Sequence, residues 1–92
     1  MIARAETGAK RGVVRLYARP DCHLCDEARA GLESLRSDGL DFALEEIDID
    51  TDDELLARFL ERIPVIEVDG EIVGELWLDP DGVRARLDTL SG

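Results

Sequence analysis

Arg19-Pro20-Asp21-Cys22-His23-Leu24-Cys25-Asp26 contains both cysteines of this 92-residue chain. It follows the apolar run Val13–Ala18 and precedes a helix-like pattern formed by Ala28, Leu32 and Leu35. Thiols at the start of a helix lie beside unpaired backbone N–H groups and the positive end of the helix dipole, which favour a thiolate. The Cys-x-x-Cys spacing also brings the two sulfurs within joining distance on one helical turn. The pair therefore predicts a site that switches between dithiol and disulfide.

Length and composition limit the possible classes of protein. Ninety-two residues make one domain, and no apolar run is long enough to cross a bilayer. Residues 1–11 lack the continuous apolar segment of a secretory signal, so we interpret them as a flexible leader before a domain over residues 12–92 of a cytoplasmic protein. A reducing compartment disfavours a permanent structural disulfide, which leaves catalytic or metal-binding roles for the cysteines. The net charge of −11 disfavours nucleic acid and membrane surfaces as partners, and we expect a monomer.

The first half of the chain is predicted to form a strand, a helix and a second strand. Val13–Ala18 is short, apolar and rich in β-branched residues, as expected of a central strand covered on both faces. Asp21 is the expected N-cap of a helix over residues 22–37, which ends at Gly39. The expected buried stripe of this helix is Leu24, Ala28, Leu32 and Leu35. The many acidic residues of segment 41–50 favour a strand at the edge of the sheet. Its apolar residues switch from even to odd positions partway along, which predicts either a bulge or a strand of which only one half pairs in the sheet.

The second half is predicted to form a helix, a hairpin and a closing helix. Thr51-Asp52-Asp53-Glu54 has the pattern of a capping box before a helix that must stop before Pro64. The apolar residues of this helix recur at helical spacing: Leu55, Leu56, Phe59, Leu60 and Ile63. Asp69-Gly70, between two apolar runs, predicts a hairpin with a type I′ turn. Asp79-Pro80 predicts the start of the last helix, whose inward residues are Val83, Leu87 and Leu90.

With a Cys-x-x-Cys after the first strand and Pro64 before the third, the span from about Val13 to Leu90 resembles the thioredoxin fold. Its size is most similar to that of glutaredoxins and glutaredoxin-like small proteins. The resemblance implies an α/β fold of order βαβαββα, with a four-stranded mixed sheet flanked by helices. It further implies that Cys22 is the exposed nucleophile, that Cys25 is the resolving thiol, and that Pro64 is a cis-proline facing the disulfide.

The resemblance also implies substrate-binding residues, and it has limits. Ile63 would offer its backbone to a substrate chain, and Arg19 occupies the place of a basic residue that many glutaredoxins carry near the glutathione carboxylate. Glutaredoxins commonly have Pro-Tyr between the cysteines, where this chain has His23-Leu24. They also have a Gly-Gly pair that binds glutathione, of which Gly74-Glu75 keeps only the first glycine. We therefore expect weak glutathione use, with a protein reductase or another small thiol as the electron donor.

Four further side chains near the cysteines or the incomplete glycine pair have competing interpretations. Protonated His23 would favour a thiolate at Cys22, whereas the carboxylates of Asp21 and Asp26 would oppose it. We interpret His23 and Asp21 as modulators of the cysteine, with the sign of the net effect open. Trp77 is interpreted as a partly buried packing residue rather than a platform for substrate.

The expected function is that of a small thiol–disulfide oxidoreductase whose substrate is a protein disulfide or a small thiol. Its only redox group would be the Cys22–Cys25 couple, with no separate cofactor and no bound metal. The alternative is a non-catalytic interaction module, or an iron–sulfur or metal carrier in which cysteines bridge subunits. One Cys-x-x-Cys supplies two ligands whereas a structural zinc needs four, and His23 is the single histidine of the chain.

Overall fold

A computed structural model describes residues 12–91, with side chains described as far as residue 87. The elements in chain order are β1 (Val13–Ala18), α1 (His23–Ser37), β2 (Ala43–Asp48), a 3₁₀ turn (Ile49–Thr51), α2 (Asp53–Phe59), β3 (Val65–Val68), β4 (Glu71–Glu75) and α3 (Pro80–Ser91). The sheet has the order β2-β1-β3-β4; β1 is parallel to β2 and antiparallel to β3, and β3 is antiparallel to β4. The predicted α/β order and four-stranded mixed sheet are confirmed. The leader predicted for residues 1–11 and the inward side chain predicted for Leu90 lie outside this description.

The central strand β1 is covered on both faces, as predicted. Successive side chains of a strand point to opposite faces, and those of β1 enter two different apolar clusters. Leu16 belongs to a cluster with residues of α1 and α3, whereas Tyr17 belongs to a second cluster with Phe59 of α2. The rings of Tyr17 and Phe59 lie 4.8 Å apart between centroids. Within residues 12–91, no helix is both long and apolar enough to span a membrane.

The start of α1 differs from the prediction in two ways. Asp21 has a φ of +60° and lies in the preceding turn, so it cannot be the N-cap; Cys22, in extended backbone, takes that position. Ala28, Leu32 and Leu35 are buried as predicted, but Leu24 is 47% exposed. Leu24 lies in the first turn of the helix, where no neighbouring element covers its side chain fully. The helix ends where expected, before Gly39 with a φ of +104°.

The second strand lies at an edge of the sheet, as its acidic residues predicted. The expectation of a bulge or of half-pairing was wrong, because residues 43–48 pair with β1 in one continuous register. The change of parity has another cause. Leu44 packs against one apolar cluster and Ile47 against the other, so β2 carries apolar side chains on both of its faces, while Phe42 and Ile49 flank the strand.

The capping box predicted at Thr51 was also wrong. Thr51 ends the 3₁₀ turn, and its hydroxyl donates to the carbonyl of Asp48 over 2.7 Å. Asp52 is the N-cap of α2, and its Oδ1 accepts the N–H groups of Glu54 (2.9 Å) and Leu55 (3.2 Å). The helix is shorter than its apolar pattern suggested: it ends at Phe59, leaving Leu60 exposed and Ile63 beyond the helix.

The hairpin between β3 and β4 is confirmed. Asp69 and Gly70 have φ angles of +47° and +91°, as a type I′ turn requires at its two central positions. β4 continues to Glu75, and the register shifts between Ile66 and Glu67. Pro80 is the first residue of α3, as predicted.

Candidate active site

Cys22 and Cys25 form a disulfide at the start of α1, with their Cα atoms 5.2 Å apart. The two side chains are unequally accessible, because Cys22 is half-buried and Cys25 is fully buried in the main core cluster. The backbone N–H of Cys25 donates to Sγ of Cys22 over 3.1 Å, so the sulfur itself caps the helix. An N–H group that points at Sγ, with the positive end of the helix dipole behind it, would stabilise a thiolate on Cys22.

Arg29 joins the helix that carries the cysteines to the edge strand. Its guanidinium donates to Oδ1 of Asp26 over 2.7 Å and, through Nε, to Oε1 of Glu46 on β2 over 2.7 Å. The hydrogen bonds with Glu46 and then Asp26 raise the pKa of Arg29 above its ordinary value. Asp26, expected to oppose a thiolate, is therefore partly neutralised by a fixed positive charge.

Arg19 and His23 each have an acidic partner. Nε of Arg19 lies 2.8 Å from Oδ1 of Asp50, in the 3₁₀ turn. Nε2 of His23 lies 2.8 Å from Oε2 of Glu27, one helical turn further along α1, and the His23 side chain is well exposed. The roles expected of Arg19 in glutathione binding and of His23 and Asp21 as modulators stay predictions.

Most backbone N–H groups near Pro64 already have hydrogen-bond partners within the protein. The Ile63–Pro64 peptide bond is cis, and Pro64 is fully buried. The N–H of Ile63 donates to the carbonyl of Phe59 over 3.0 Å. The N–H of Leu76 lies 2.8 Å from the carbonyl oxygen of Pro64 and 3.0 Å from that of Arg62. A substrate chain that paired with Ile63 would thus have to bond to the carbonyl group of Ile63 or displace an existing hydrogen bond.

The segment after β4 forms a depression next to the cysteine-bearing end of α1. We call it the Trp77 pocket; its lining residues are Leu24, Glu27, Ala28, Leu76, Trp77 and Leu78. The interpretation of Trp77 as a partly buried packing residue was wrong, because its side chain is 65% exposed. The helical pattern could not show that Leu24 and Trp77 line the same depression, since they are distant in the sequence. The only signal was that both lie where the chain departs from the glutaredoxin pattern.

Glu75, at the missing second glycine, is not an isolated negative charge. Its carboxylate pairs with the guanidinium of Arg62, and that hydrogen bond lowers the pKa of Glu75 below its ordinary value. The repulsion of an anionic ligand by Glu75 is therefore partly offset.

The described side chains contain no group of three or more histidine, cysteine, aspartate or glutamate residues placed to hold a metal ion. A metal or cluster held by Cys22 and Cys25 would need further ligands from outside these described side chains. The carrier alternative, in which cysteines bridge subunits, meets this requirement by taking ligands from a second copy.

The sheet order and the Cys-x-x-Cys at the start of α1 define a thioredoxin-fold protein with a cysteine pair at disulfide distance. A family profile described as "Glutaredoxin-like domain (DUF836)" matches residues 13–88. The chain belongs to this glutaredoxin-like family of the thioredoxin superfamily. No match was found among curated proteins.

Solved structures agree with this assignment. The solution structure of protein Ne2328 from Nitrosomonas europaea is 31% identical with a TM-score of 0.72, over 82% of this chain and 89% of that one. The X-ray structure of protein XcR50 from X. campestris is 35% identical with a TM-score of 0.66, over 83% of this chain and 96% of that one. A mutant thioredoxin from Halobacterium salinarum is 19% identical with a TM-score of 0.63, over 100% of this chain and 86% of that one, and shows the fold alone.

Proposed function

We propose that this protein is a thiol–disulfide oxidoreductase in which Cys22 is the nucleophile and Cys25 the resolving thiol. The observation that carries the proposal is the unequal accessibility of two cysteines close enough to form a disulfide. A partner disulfide can approach the half-buried Cys22, whereas Cys25 is enclosed in the core. The N–H of Cys25 that points at Sγ of Cys22 favours the charged form of the attacking sulfur.

The exchange takes place in two displacements. The Cys22 thiolate attacks one sulfur of the substrate disulfide; a mixed disulfide forms, and the other substrate sulfur leaves as a thiolate that takes up a proton. The Cys25 thiol then loses its proton and attacks Sγ of Cys22, which breaks the mixed disulfide and releases the second substrate thiol. Two electrons have passed to the substrate, and the protein holds the Cys22–Cys25 disulfide. Two electrons, from one dithiol or from two thiol molecules, must reduce that disulfide before the next turnover.

The division of labour is tested by trapping. In the Cys25→Ser variant the mixed disulfide on Cys22 cannot be resolved, so it should accumulate; the Cys22→Ser variant should trap almost nothing, because Cys25 is buried. Both reduced variants are incubated with the same small symmetric disulfide and analysed by intact-protein mass spectrometry. Equal trapping by the two variants would contradict the assignment.

A second measurement separates exchange from the carrier alternative. Protein purified without oxygen is analysed for iron, zinc and acid-labile sulfide, and its visible spectrum is recorded. A stoichiometric iron–sulfur chromophore would overturn the proposal, whereas metal-free protein that reduces small disulfides would support it.

As electron donor, we propose a protein reductase or a small thiol other than glutathione. The N–H of Leu76, in the segment where glutaredoxins bind glutathione, already has carbonyl partners, and the chain carries a net charge of −11 against an anionic tripeptide. The pair between Arg19 and Asp50 also leaves less positive charge for a carboxylate. Loss of the Cys22–Cys25 disulfide is followed with glutathione and with a thioredoxin-type reducing system. Fast, saturable reduction by glutathione would contradict this choice.

A further inference from the structure

Exposed apolar surface is concentrated in the Trp77 pocket. Four large apolar side chains are exposed among the residues that the structure describes, and three of them line this pocket: Leu24, Leu76 and Trp77. The fourth, Leu60, lies just after α2. Leu24 stands between the two cysteines in the sequence, so the pocket lies at the same end of α1 as the disulfide. Contiguous exposed apolar surface on a soluble protein is typical of an interaction site.

The backbone at Leu76 adds an independent observation. Leu76 has a φ of +70°, a left-handed conformation that is uncommon for residues other than glycine and unfavourable for a bulky one. Its N–H bonds to the carbonyls of Arg62 and Pro64 hold it there, and its side chain is left 50% exposed. Neither the conformation nor the exposure favours folding, and such residues collect at binding sites.

The volume of the pocket indicates the size of its occupant. The depression measures about 270 Å³, which is below the range of roughly 300–1,000 Å³ that is usual for whole small-molecule ligands. One large apolar side chain fits this space better than a complete ligand does. Because the N–H groups of Ile63 and Leu76 already have partners, we expect recognition to depend on burial of that side chain more than on strand-like pairing.

The charge of this protein indicates which residues should accompany that apolar side chain in the partner. Among the residues that the structure describes, Glu27 is the one charged side chain that lines the pocket; it is more than half exposed, and its Oε2 lies 2.8 Å from Nε2 of His23. The whole chain carries 22 acidic and 11 basic residues, so its field attracts cations and repels anions. A segment with basic residues is therefore the electrostatic complement of this surface.

We propose that the Trp77 pocket binds a large apolar side chain of a partner protein. In the partner's sequence this side chain flanks a disulfide-bonded cysteine, and the same segment carries basic residues. This inference rests on the proposed disulfide exchange by Cys22, and it names the class of substrate. Docking places the partner's sulfur beside Cys22 and so raises the rate of the first displacement.

The test uses symmetric disulfides of three short peptides. In the first peptide, phenylalanine flanks the cysteine on both sides and lysines stand at the ends; the second has glycine in place of phenylalanine, and the third has glutamate in place of lysine. Bis(2-hydroxyethyl) disulfide serves as a substrate without side chains. Prereduced protein is mixed with each disulfide in a single turnover, and the second-order rate constant is measured. Trp77 is the single tryptophan of the chain, so its emission in the Cys25→Ser mixed disulfide reports directly on the pocket.

We expect the phenylalanine–lysine peptide to react about tenfold faster than its glycine counterpart, equivalent to about 1.4 kcal/mol. Its mixed disulfide should shift Trp77 emission to the blue, whereas that of the glycine peptide should not. Trp77→Ser should bring the phenylalanine-to-glycine ratio close to one. Leu60→Ser is the matched control, since it removes an exposed leucine away from the pocket, and it should keep the full ratio.

Each contrary result has a distinct meaning. Equal rates for the phenylalanine and glycine peptides would overturn the docking inference and leave the exchange intact. Failure to reduce any disulfide, including bis(2-hydroxyethyl) disulfide, would overturn the proposed function and this inference with it. A glutamate peptide as fast as the lysine peptide would overturn the charge preference.

Two other occupants would also overturn the inference. A dimer that Trp77→Ser dissociates, measured by light scattering, would place a second copy in the pocket. A red shift of Trp77 emission on deletion of residues 1–11 would place the start of the same chain there.

Discussion

Gly31→Ala tests whether α1 and the segment after β4 approach each other as closely as described. Gly31 lies in α1, and a Cβ at this position would be 2.4 Å from Cδ2 of Leu78, one of the residues that line the Trp77 pocket. Ordinary carbon–carbon contacts are about 3.5–4.0 Å, so the methyl group of Leu78 would have to move by about 1 Å or more. The glycine is thus what allows Leu78 to lie against the helix.

Two opposing free energies set the expected magnitude. Replacing glycine by alanine inside a helix stabilises it by about 0.8–1.0 kcal/mol, whereas overpacking a well-packed contact costs about 1–3 kcal/mol. In the otherwise unchanged protein, Gly31→Ala should therefore range from nearly neutral to about 2 kcal/mol destabilising. In a Leu78→Ala background the clash is absent, and the same substitution should stabilise by about 1 kcal/mol.

The assay is a double-mutant cycle in urea. The four proteins are oxidised fully, unfolded, and followed by far-ultraviolet circular dichroism, and the coupling free energy is taken from the four free energies of unfolding. We expect a coupling of about 1–3 kcal/mol. If Gly31→Ala stabilised both backgrounds equally, the end of the half-buried Leu78 side chain would not need this glycine to lie against α1, and the reasoning from close approach would be wrong.

Three further substitutions test the fold and its charges. Asp52→Ala should lower the free energy of unfolding in urea by about 1 kcal/mol, because two N–H groups lose their acceptor. The control Asp53→Ala removes a neighbouring carboxylate but neither hydrogen bond, so it should cost less. Equal losses of stability would contradict the assignment of Asp52 as the N-cap. Leu32→Ala, at a fully buried position, should lower the free energy of unfolding by about 2–5 kcal/mol, and a loss below about 1 kcal/mol would contradict its place in the core. Because Arg62 lowers the pKa of Glu75, their pair stabilises the protein above the unfolded-state pKa of about 4.5, and this contribution is lost as pH falls below it. Arg62→Met should therefore make Tm fall less steeply as the pH is lowered through this range. An unchanged dependence of Tm on acid pH would contradict the pair.

The sequence predicted those parts of the fold that local chemistry determines. Asp69-Gly70 defined the hairpin because two successive positive φ angles exclude most other residues. The acids of β2 indicated an edge because charged side chains protect exposed strands from further pairing. Cys22 and Cys25 indicated the site because their spacing has few structural uses other than a disulfide or metal ligation.

The errors arose where several residues could serve the same purpose. Asp21 and Cys22 can both accept a hydrogen bond at a helix start, and the positive φ of Asp21, set by the turn after Pro20, decided between them. Thr51 and Asp52 posed the same choice, which the intervening 3₁₀ turn resolved in favour of Asp52. Periodicity places residues on one side of a helix but does not show how far a neighbouring element covers that side. The exposure of Leu24 therefore depended on the path of a segment that is distant in the sequence.

The sulfur cap at the start of α1 has a consequence for how readily the protein can turn over. In the exchange that we propose, Sγ of Cys22 is in turn part of the internal disulfide, a thiolate and part of a mixed disulfide, and in each state it retains a lone pair for the N–H of Cys25. The first turn of the helix therefore keeps its hydrogen bond while electrons pass through it. Because this bond need not break in the first displacement, we expect the rate of that step to depend mainly on how often, and in what orientation, a partner disulfide meets Cys22.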